Sequence, residues 1–224
     1  MNRKNVSDAL QGIVFTALVL FVSAGRYDLP MLWAYFCVHT GSNLAIRFII
    51  FKRDPDLFRE RIWPRPGVQD WDLRLVKIYQ FLPYATWCIA GLDVGRLHWS
   101  DTVPFGAQIA GLAGLAASFA LVLWAMTTNP FYSRWIRIQR ERGHRVITAG
   151  PYRYVRHPGY LGSILSWLCG GLALGSWLAM VPATVIVFLH LIRVAREDRI
   201  LRQELAGYEA YAGKVHYRLL PGLW

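Results

Sequence analysis

Two short stretches of this sequence combine residue types suited to holding a charged small molecule. The first is Gly150-Pro151-Tyr152-Arg153-Tyr154-Val155-Arg156-His157-Pro158-Gly159-Tyr160. Proline is favoured at the first position of a helix, where its missing N–H would have no partner. A helix starting at Pro158 presents free backbone N–H groups and the positive end of its dipole. That end suits a carboxylate or a phosphate. His157 stands beside it, Tyr160 lies about one turn in, and Gly159 and Gly162 leave room for a ligand or a neighbouring helix. The same run also reads as a basic, aromatic anchor at a membrane surface, and spacing alone does not separate the two readings.

The second stretch carries His190, Arg193, Glu197, Leu201 and Glu204, which recur at three- and four-residue spacing and so share one helical face. A plain Arg193–Glu197 pair at i,i+4, worth about 0.2–0.5 kcal/mol, accounts for two of them. It leaves open why an acid should lie opposite a cationic helix start, as it does if the chain folds the stretches together. An anion site at a helix start plus a carboxylate recognise a zwitterion. An amino-acid-bearing cofactor such as S-adenosylmethionine fits, its adenine finding Tyr152 and Tyr160 for stacking.

Positioning these residues falls to a strongly apolar chain. Of 224 residues, 54% are apolar and 17% charged, and the formal net charge is +11. Ordinary soluble domains carry about 25% charged residues, so disordered, collagen-like and disulfide-scaffold classes are excluded. A basic chain of this size suits nucleic acid only if its charge covers a water-facing surface. Here the charge falls in blocks between apolar runs, a membrane pattern, and no nucleic-acid partner is expected. Cys37, Cys88 and Cys169 sit inside apolar runs without CxxC spacing, so neither a disulfide nor a metal site is expected.

A bilayer core about 30 Å thick needs roughly 17–25 apolar residues of helix. Six segments qualify: 9–25, 30–51, 73–94, 103–127, 159–175 and 177–193. Gly175-Ser176 alone separates the last two, which read as a hairpin short enough to stop before crossing fully. The expected fold class is all-α, a polytopic transmembrane protein. Residues 1–127 would form N-terminal helices around a lipid entrance, and residues 128–224 a core with a cytoplasmic cofactor pocket.

Basic residues orient the segments. Arg3 and Lys4 precede the first, six Lys or Arg lie from Lys52 to Arg74, seven from Arg134 to Arg156, and six from Arg193 to Arg218. The alternate loops hold only Arg26 and Arg96, which places both termini in the cytoplasm. Residues 1–24 resemble a secretory signal, with Val22-Ser23-Ala24 as a cleavage-like end, but no soluble domain follows. Trp63, Trp71 and Trp99 lie near segment ends, where aromatic belts form. Arg47, Lys77 and Asp93 read as snorkelling or paired, and His39 as a packing residue. Gly111, Gly114 and Ala117 give a small-residue face for helix association within the monomer. Asn129 and Phe131 either position a loop above the pocket or end the fourth segment, where Pro130 already disfavours helix.

Several motifs occur in a specific order: Asn129-Pro130-Phe131, Arg137-Ile138-Gln139, Arg142-Gly143-His144-Arg145-Val146-Ile147, Gly150-Pro151-Tyr152, and Arg156-His157-Pro158-Gly159-Tyr160. Arg193-x3-Glu197-Asp198, Gly207-Tyr208-x2-Tyr211 and Val215-x-Tyr217-Arg218-Leu219-x-Pro221 follow. Together they resemble the isoprenylcysteine carboxyl methyltransferase family over about residues 129–221. A lone Arg-His-Pro-x-Tyr is less specific, since membrane phospholipid methyltransferases and sterol-type reductases carry similar segments.

The resemblance implies an integral membrane enzyme that uses S-adenosylmethionine on a lipid-linked or small hydrophobic acceptor. It carries cofactor contacts to Gln139, to His144, Arg145, Val146 and Ile147, to Tyr152, to His157, Pro158, Gly159 and Tyr160, and to Glu197. It makes Arg193 the substrate-positioning residue, expected to grip an acceptor carboxylate in a bidentate contact. The acidic run is reduced to Glu197-Asp198, and residues 1–126 inherit no assignment. A prokaryotic inner membrane is the expected location. A phospholipid N-methyltransferase, a nicotinamide-dependent sterol-type reductase and a binding or scaffold protein are the alternatives.

Overall fold

The computed structural model describes residues 3–62 and 65–224, so Trp63 lies outside the described residues. Nine α-helices and three tighter or wider helical turns account for the regular structure among those residues, and none of it is strand. Three helices are long and apolar enough to cross a membrane: α1 (Arg3–Ala24), α2 (Pro30–Arg53) and α6 (Phe105–Thr128). Leu10, Val14, Leu18, Val22, Phe48 and Ile109 stand exposed on them. In water such surfaces would be costly, whereas lipid tails accept them.

The apolar run at 73–94 does not make one helix. It divides into α4 (Asp70–Tyr79) and α5 (Leu82–Leu92), with α3 (Pro55–Ile62) preceding them. Pro83 explains the break: it sits in the first turn of α5, where its missing N–H costs nothing. Deeper in a continuous helix it would remove a hydrogen bond and crowd the preceding turn. A π-helical turn, Asp93–Leu97, extends α5.

The hairpin expected at the C-terminal end is present. α7 (Pro158–Ala173) and α8 (Met180–Glu204) are joined by a turn in which Gly175 adopts φ +72°. Ser100 and Ser176 donate to the buried Asp93 carboxylate, tying this turn to the π-helical one. α8 continues past Arg193 to Glu204, so Arg193, Glu197 and Leu201 ride on one unbroken helix. A short helix, α9 (Tyr208–Lys214), ends the regular structure.

α6 packs closely along α7, and the small-residue face is the reason. A methyl group at Gly111 would come within 2.6 Å of the Ala173 backbone nitrogen, and one at Gly162 within 2.9 Å of the Ser118 carbonyl. The association is therefore within the monomer, as the spacing predicts. The main apolar core joins Leu20, Phe21, Leu32, Tyr35, Trp87, Leu115 and Leu174. Inside it, the indole N–H of Trp87 donates to the Tyr35 hydroxyl at 2.8 Å. His39 stacks on Tyr35, with ring centroids 5.5 Å apart, which accounts for it as a packing residue.

Candidate active site

The chain from Asn129 to His157 is mostly irregular and lies against the start of α7 and the end of α8. Asn129 fixes where it begins: its Oδ1 accepts the Phe131 N–H at 2.8 Å and its Nδ2 donates to the Tyr152 hydroxyl at 3.2 Å. It therefore positions the loop as well as ending α6. The far end is held by the tail, since the N–H groups of Arg156 and His157 donate to the carbonyls of Tyr217 and Arg218 at 3.0 and 2.9 Å. Tyr211 adds a bond to the Tyr152 carbonyl at 2.7 Å. Segments far apart in sequence thus meet at the α7 start.

Asp198 organises this meeting. Its carboxylate is 0% exposed and accepts from Arg156 at 2.7 and 3.1 Å, Arg218 at 3.0 Å, Arg202 at 3.2 Å and the Tyr208 hydroxyl at 2.9 Å. His157 Nε2 lies 3.3 Å from the same group. Burial by itself would raise the Asp198 carboxyl. The hydrogen bonds from His157, Arg156 and Arg218 outweigh it and hold the group well below the ordinary carboxylate range.

These contacts frame a cavity of about 190 Å³. Of the residues proposed from sequence, His144, Arg145, Val146, Ile147, Tyr152, His157, Gly159, Tyr160, Arg193 and Glu197 line it. Gln139 and Pro158 do not. Gln139 is 0% exposed, its amide donating to the Phe131 carbonyl at 2.8 Å and accepting from Arg142, so it braces the loop from behind. Pro158 is buried in the first turn of α7. A methyl group at Gly159 would come within 2.2 Å of the Tyr132 ring, so only glycine lets that ring close the cavity wall. The His144 and Phe131 rings stack at 4.6 Å. Burial, reinforced by Arg137 and Arg142, lowers the His144 pKa to about 4 and keeps the imidazole neutral.

Glu197 is the one carboxylate among the described lining residues. The Tyr160 hydroxyl donates to its Oε2 at 2.7 Å, across the gap between α7 and α8. No Arg193–Glu197 ion pair occurs among the described residues. Arg193 turns instead to Asp72 of α4: Nε and Nη2 reach the two carboxylate oxygens at 2.8 and 3.2 Å. Nη2 also donates to the Arg134 carbonyl at 2.7 Å. The guanidinium lies between the rings of Tyr79 and Tyr160, at 5.7 and 5.6 Å. The bidentate edge expected to hold an acceptor carboxylate is therefore already occupied, and Nη1 donates to the Tyr79 hydroxyl at 3.4 Å.

Sequence reasoning missed Asp72 and Asp198 as organisers, and Arg61, Tyr132 and Trp135 as wall residues. Asp72 stands in the first turn of a helix, where an acid is common for dipole reasons alone. Nothing in its spacing points to Arg193. Two wall residues also carry enclosed polar atoms without a protein partner, Nη1 of Arg61 and Nε1 of Trp135. Buried donors rarely stay unpaired, so a cavity with two of them fits a polar ligand.

Part of the chain is similar in sequence to known proteins. Residues 111–203 match the model of the isoprenylcysteine carboxyl methyltransferase family. A probable protein-S-isoprenylcysteine O-methyltransferase of Oryza sativa subsp. indica is 37% identical over 97 residues, which is 42% of this chain and 50% of that protein. The protein-S-isoprenylcysteine O-methyltransferase B of Arabidopsis thaliana is 27% identical over 123 residues, 54% of this chain and 59% of that protein. The chain thus spans about half the length of the curated relatives it matches. The matched region contains α7, the Tyr160–Glu197 contact and most of α8. Over that region the chain is similar to the isoprenylcysteine carboxyl methyltransferase family.

Proposed function

We propose that this protein is a membrane-embedded, S-adenosylmethionine-dependent methyltransferase acting on the carboxylate of an isoprenylcysteine-type acceptor. The observation that carries the proposal is Glu197, the one carboxylate among the described lining residues, held by Tyr160 in a wall otherwise rich in arginine. The cofactor is doubly cationic at its sulfonium and ammonium and anionic at its carboxylate, and the wall offers both signs of charge. Bound there, it would supply a methyl group activated on a sulfonium. Glu197 would hold the ammonium or a ribose hydroxyl, with His144, Arg145, Val146, Ile147, Tyr152, His157, Gly159 and Tyr160 as the surrounding contacts. Gln139 and Pro158 would act from behind them, by fixing the loop and the helix start.

A carboxylate acceptor is already ionised at neutral pH and needs no general base. What remains for the protein is alignment and exclusion of water. The rings of Tyr79, Tyr132 and Tyr160 provide walls for both. Arg193, pinned by Asp72 and sandwiched by two of these rings, would position the acceptor through Nη1. In the membrane, six segments with cytoplasmic termini would let a lipid tail enter sideways while the cofactor enters from the aqueous side.

Thermal unfolding of the purified chain in detergent tests the reading, because a ligand stabilises only a state that binds it. S-adenosylhomocysteine should raise the midpoint and NADPH should not. Stabilisation by NADPH alone would replace this reading with the reductase. Methyl transfer to phosphatidylethanolamine and not to S-farnesylcysteine would move the acceptor to a phospholipid amine.

A further inference from the structure

Six arginines line the cavity, and five of them have their charge accounted for. Arg137, Arg156 and Arg193 are paired to Glu60, Asp198 and Asp72 at 2.7–2.8 Å. Arg134 and Arg145 are exposed to water. Arg61, near the end of α3, is different. Its Nη1 is enclosed without a hydrogen-bond partner, and no carboxylate pairs with it among the described residues. The neighbouring acid, Glu60, is taken by Arg137 at 2.8 Å and Arg65 at 3.5 Å. The guanidinium rests over the Tyr132 ring at 5.1 Å. Burial first, and then the charges of Arg134 and Arg47, push its pKa below the usual arginine range, with the Tyr132 and Tyr79 phenols opposing.

A guanidinium N–H that is enclosed with no hydrogen-bond partner and no paired carboxylate is costly. The cost is removed when an anion arrives, and the cavity wall is where Arg61 faces one. Arg61 approaches from α3, directly after the membrane-crossing α2, whereas Glu197 approaches from α8. Tyr132 is within the electrostatic reach of both.

We infer that Arg61 is the primary contact for the acceptor's anionic group, its unpartnered Nη1 donating to the carboxylate that receives the methyl, while Arg193 orients the acceptor from the other side. This rests on the methyltransferase reading above. Methylation neutralises the carboxylate, so the ester product loses its hold on Arg61 and leaves more readily than the substrate does.

The test compares N-acetyl-S-farnesylcysteine with its carboxamide, a neutral analogue of nearly the same shape, by calorimetry on the full chain in detergent. A hydrogen bond to a charged group is typically worth enough for roughly a 10- to 100-fold preference. Wild type should prefer the carboxylate by that factor, Arg61→Gln should lose the preference, and Arg61→Lys should keep part of it. S-adenosylhomocysteine affinity should stay within about twofold in both variants. If Arg61→Lys alone folds, a reduced preference in it supports the assignment and an undiminished one overturns it. A preference that survives in Arg61→Gln also overturns it, even with the methyltransferase reading intact. Wild type that binds neither S-adenosylhomocysteine nor the farnesylcysteine defeats the parent reading itself. Should Arg61→Gln weaken only dihexanoyl phosphatidic acid, the anion is a lipid headgroup and the acceptor assignment falls.

Discussion

The Tyr160 hydroxyl donates to Glu197 at 2.7 Å, joining the first turn of α7 to the C-terminal half of α8. The contact fixes a carboxylate that would otherwise be free to swing across the cavity. It also ties the two arms of the hairpin together at the end opposite their connecting turn. The position of Glu197 and the closure of the hairpin therefore depend on one bond.

Replacing Glu197 with alanine is expected to abolish S-adenosylhomocysteine binding while the protein still folds and inserts. Tyr160→Phe keeps the carboxylate and frees it, so affinity should fall about 10-fold, as expected for a hydrogen bond to a charged group. Calorimetry in detergent reads both. An unchanged affinity in Glu197→Ala would remove Glu197 from the cofactor site.

Arg193 and Asp72 form a buried pair, so removing either one strands the other. Arg193→Ala and Asp72→Ala should each destabilise by about 3–5 kcal/mol, and the double variant by clearly less than their sum. Turnover should not return in the double variant, because Arg193 also faces the cavity. Additive destabilisation in the thermal unfolding midpoints would mean that the pair is not coupled.

Asp198 gives an acid-dependent stability. Its pKa is depressed in the fold, so the stability it contributes is present above the unfolded value, about 3.9. That contribution is lost as the pH falls through the lower folded value. Asp198→Asn should lower the unfolding midpoint at neutral pH and flatten its dependence below about pH 4. A variant as acid-sensitive as wild type there would assign the sensitivity to other groups.

His144 acts in a higher window. Its folded pKa is about 4 against an ordinary value near 6.5, so the unfolded chain takes up a proton that the folded one refuses. Stability should fall as the pH drops from about 6.5 towards 4, and His144→Gln should remove that slope. Unfolding midpoints measured across this range check the sign. A slope that persists in the variant would belong to another group.

The readable part of the design was the part encoded locally. Pro158 announced the helix start, Gly175-Ser176 announced the hairpin, and the i,i+4 spacing put Arg193 and Glu197 on one face. The i,i+4 rule then gave the wrong partner, because Arg193 binds Asp72 at a separation of 121 residues. Such a contact leaves no periodic trace in the chain. Asp198 was hidden for the same reason, being one acid among basic neighbours until the fold gathers three of them around it. The segment at 73–94 misled through its apolarity, which does not register that Pro83 starts a new helix inside it. Three crossing helices meet the length and apolarity expected, and the matched relatives are plant proteins, so the expectation of a prokaryotic inner membrane draws no support from them.

α7 has only 16 residues, a rise of about 24 Å against a hydrocarbon layer of about 30 Å. Where it lies in a bilayer, hydrophobic mismatch draws the adjacent leaflet inward around Pro158. That dimple would bring the headgroup plane down to the mouth of the cavity. On the proposed function, a prenyl chain would then slide in with little vertical displacement, and turnover would respond to acyl-chain length, faster in thin bilayers than in thick ones.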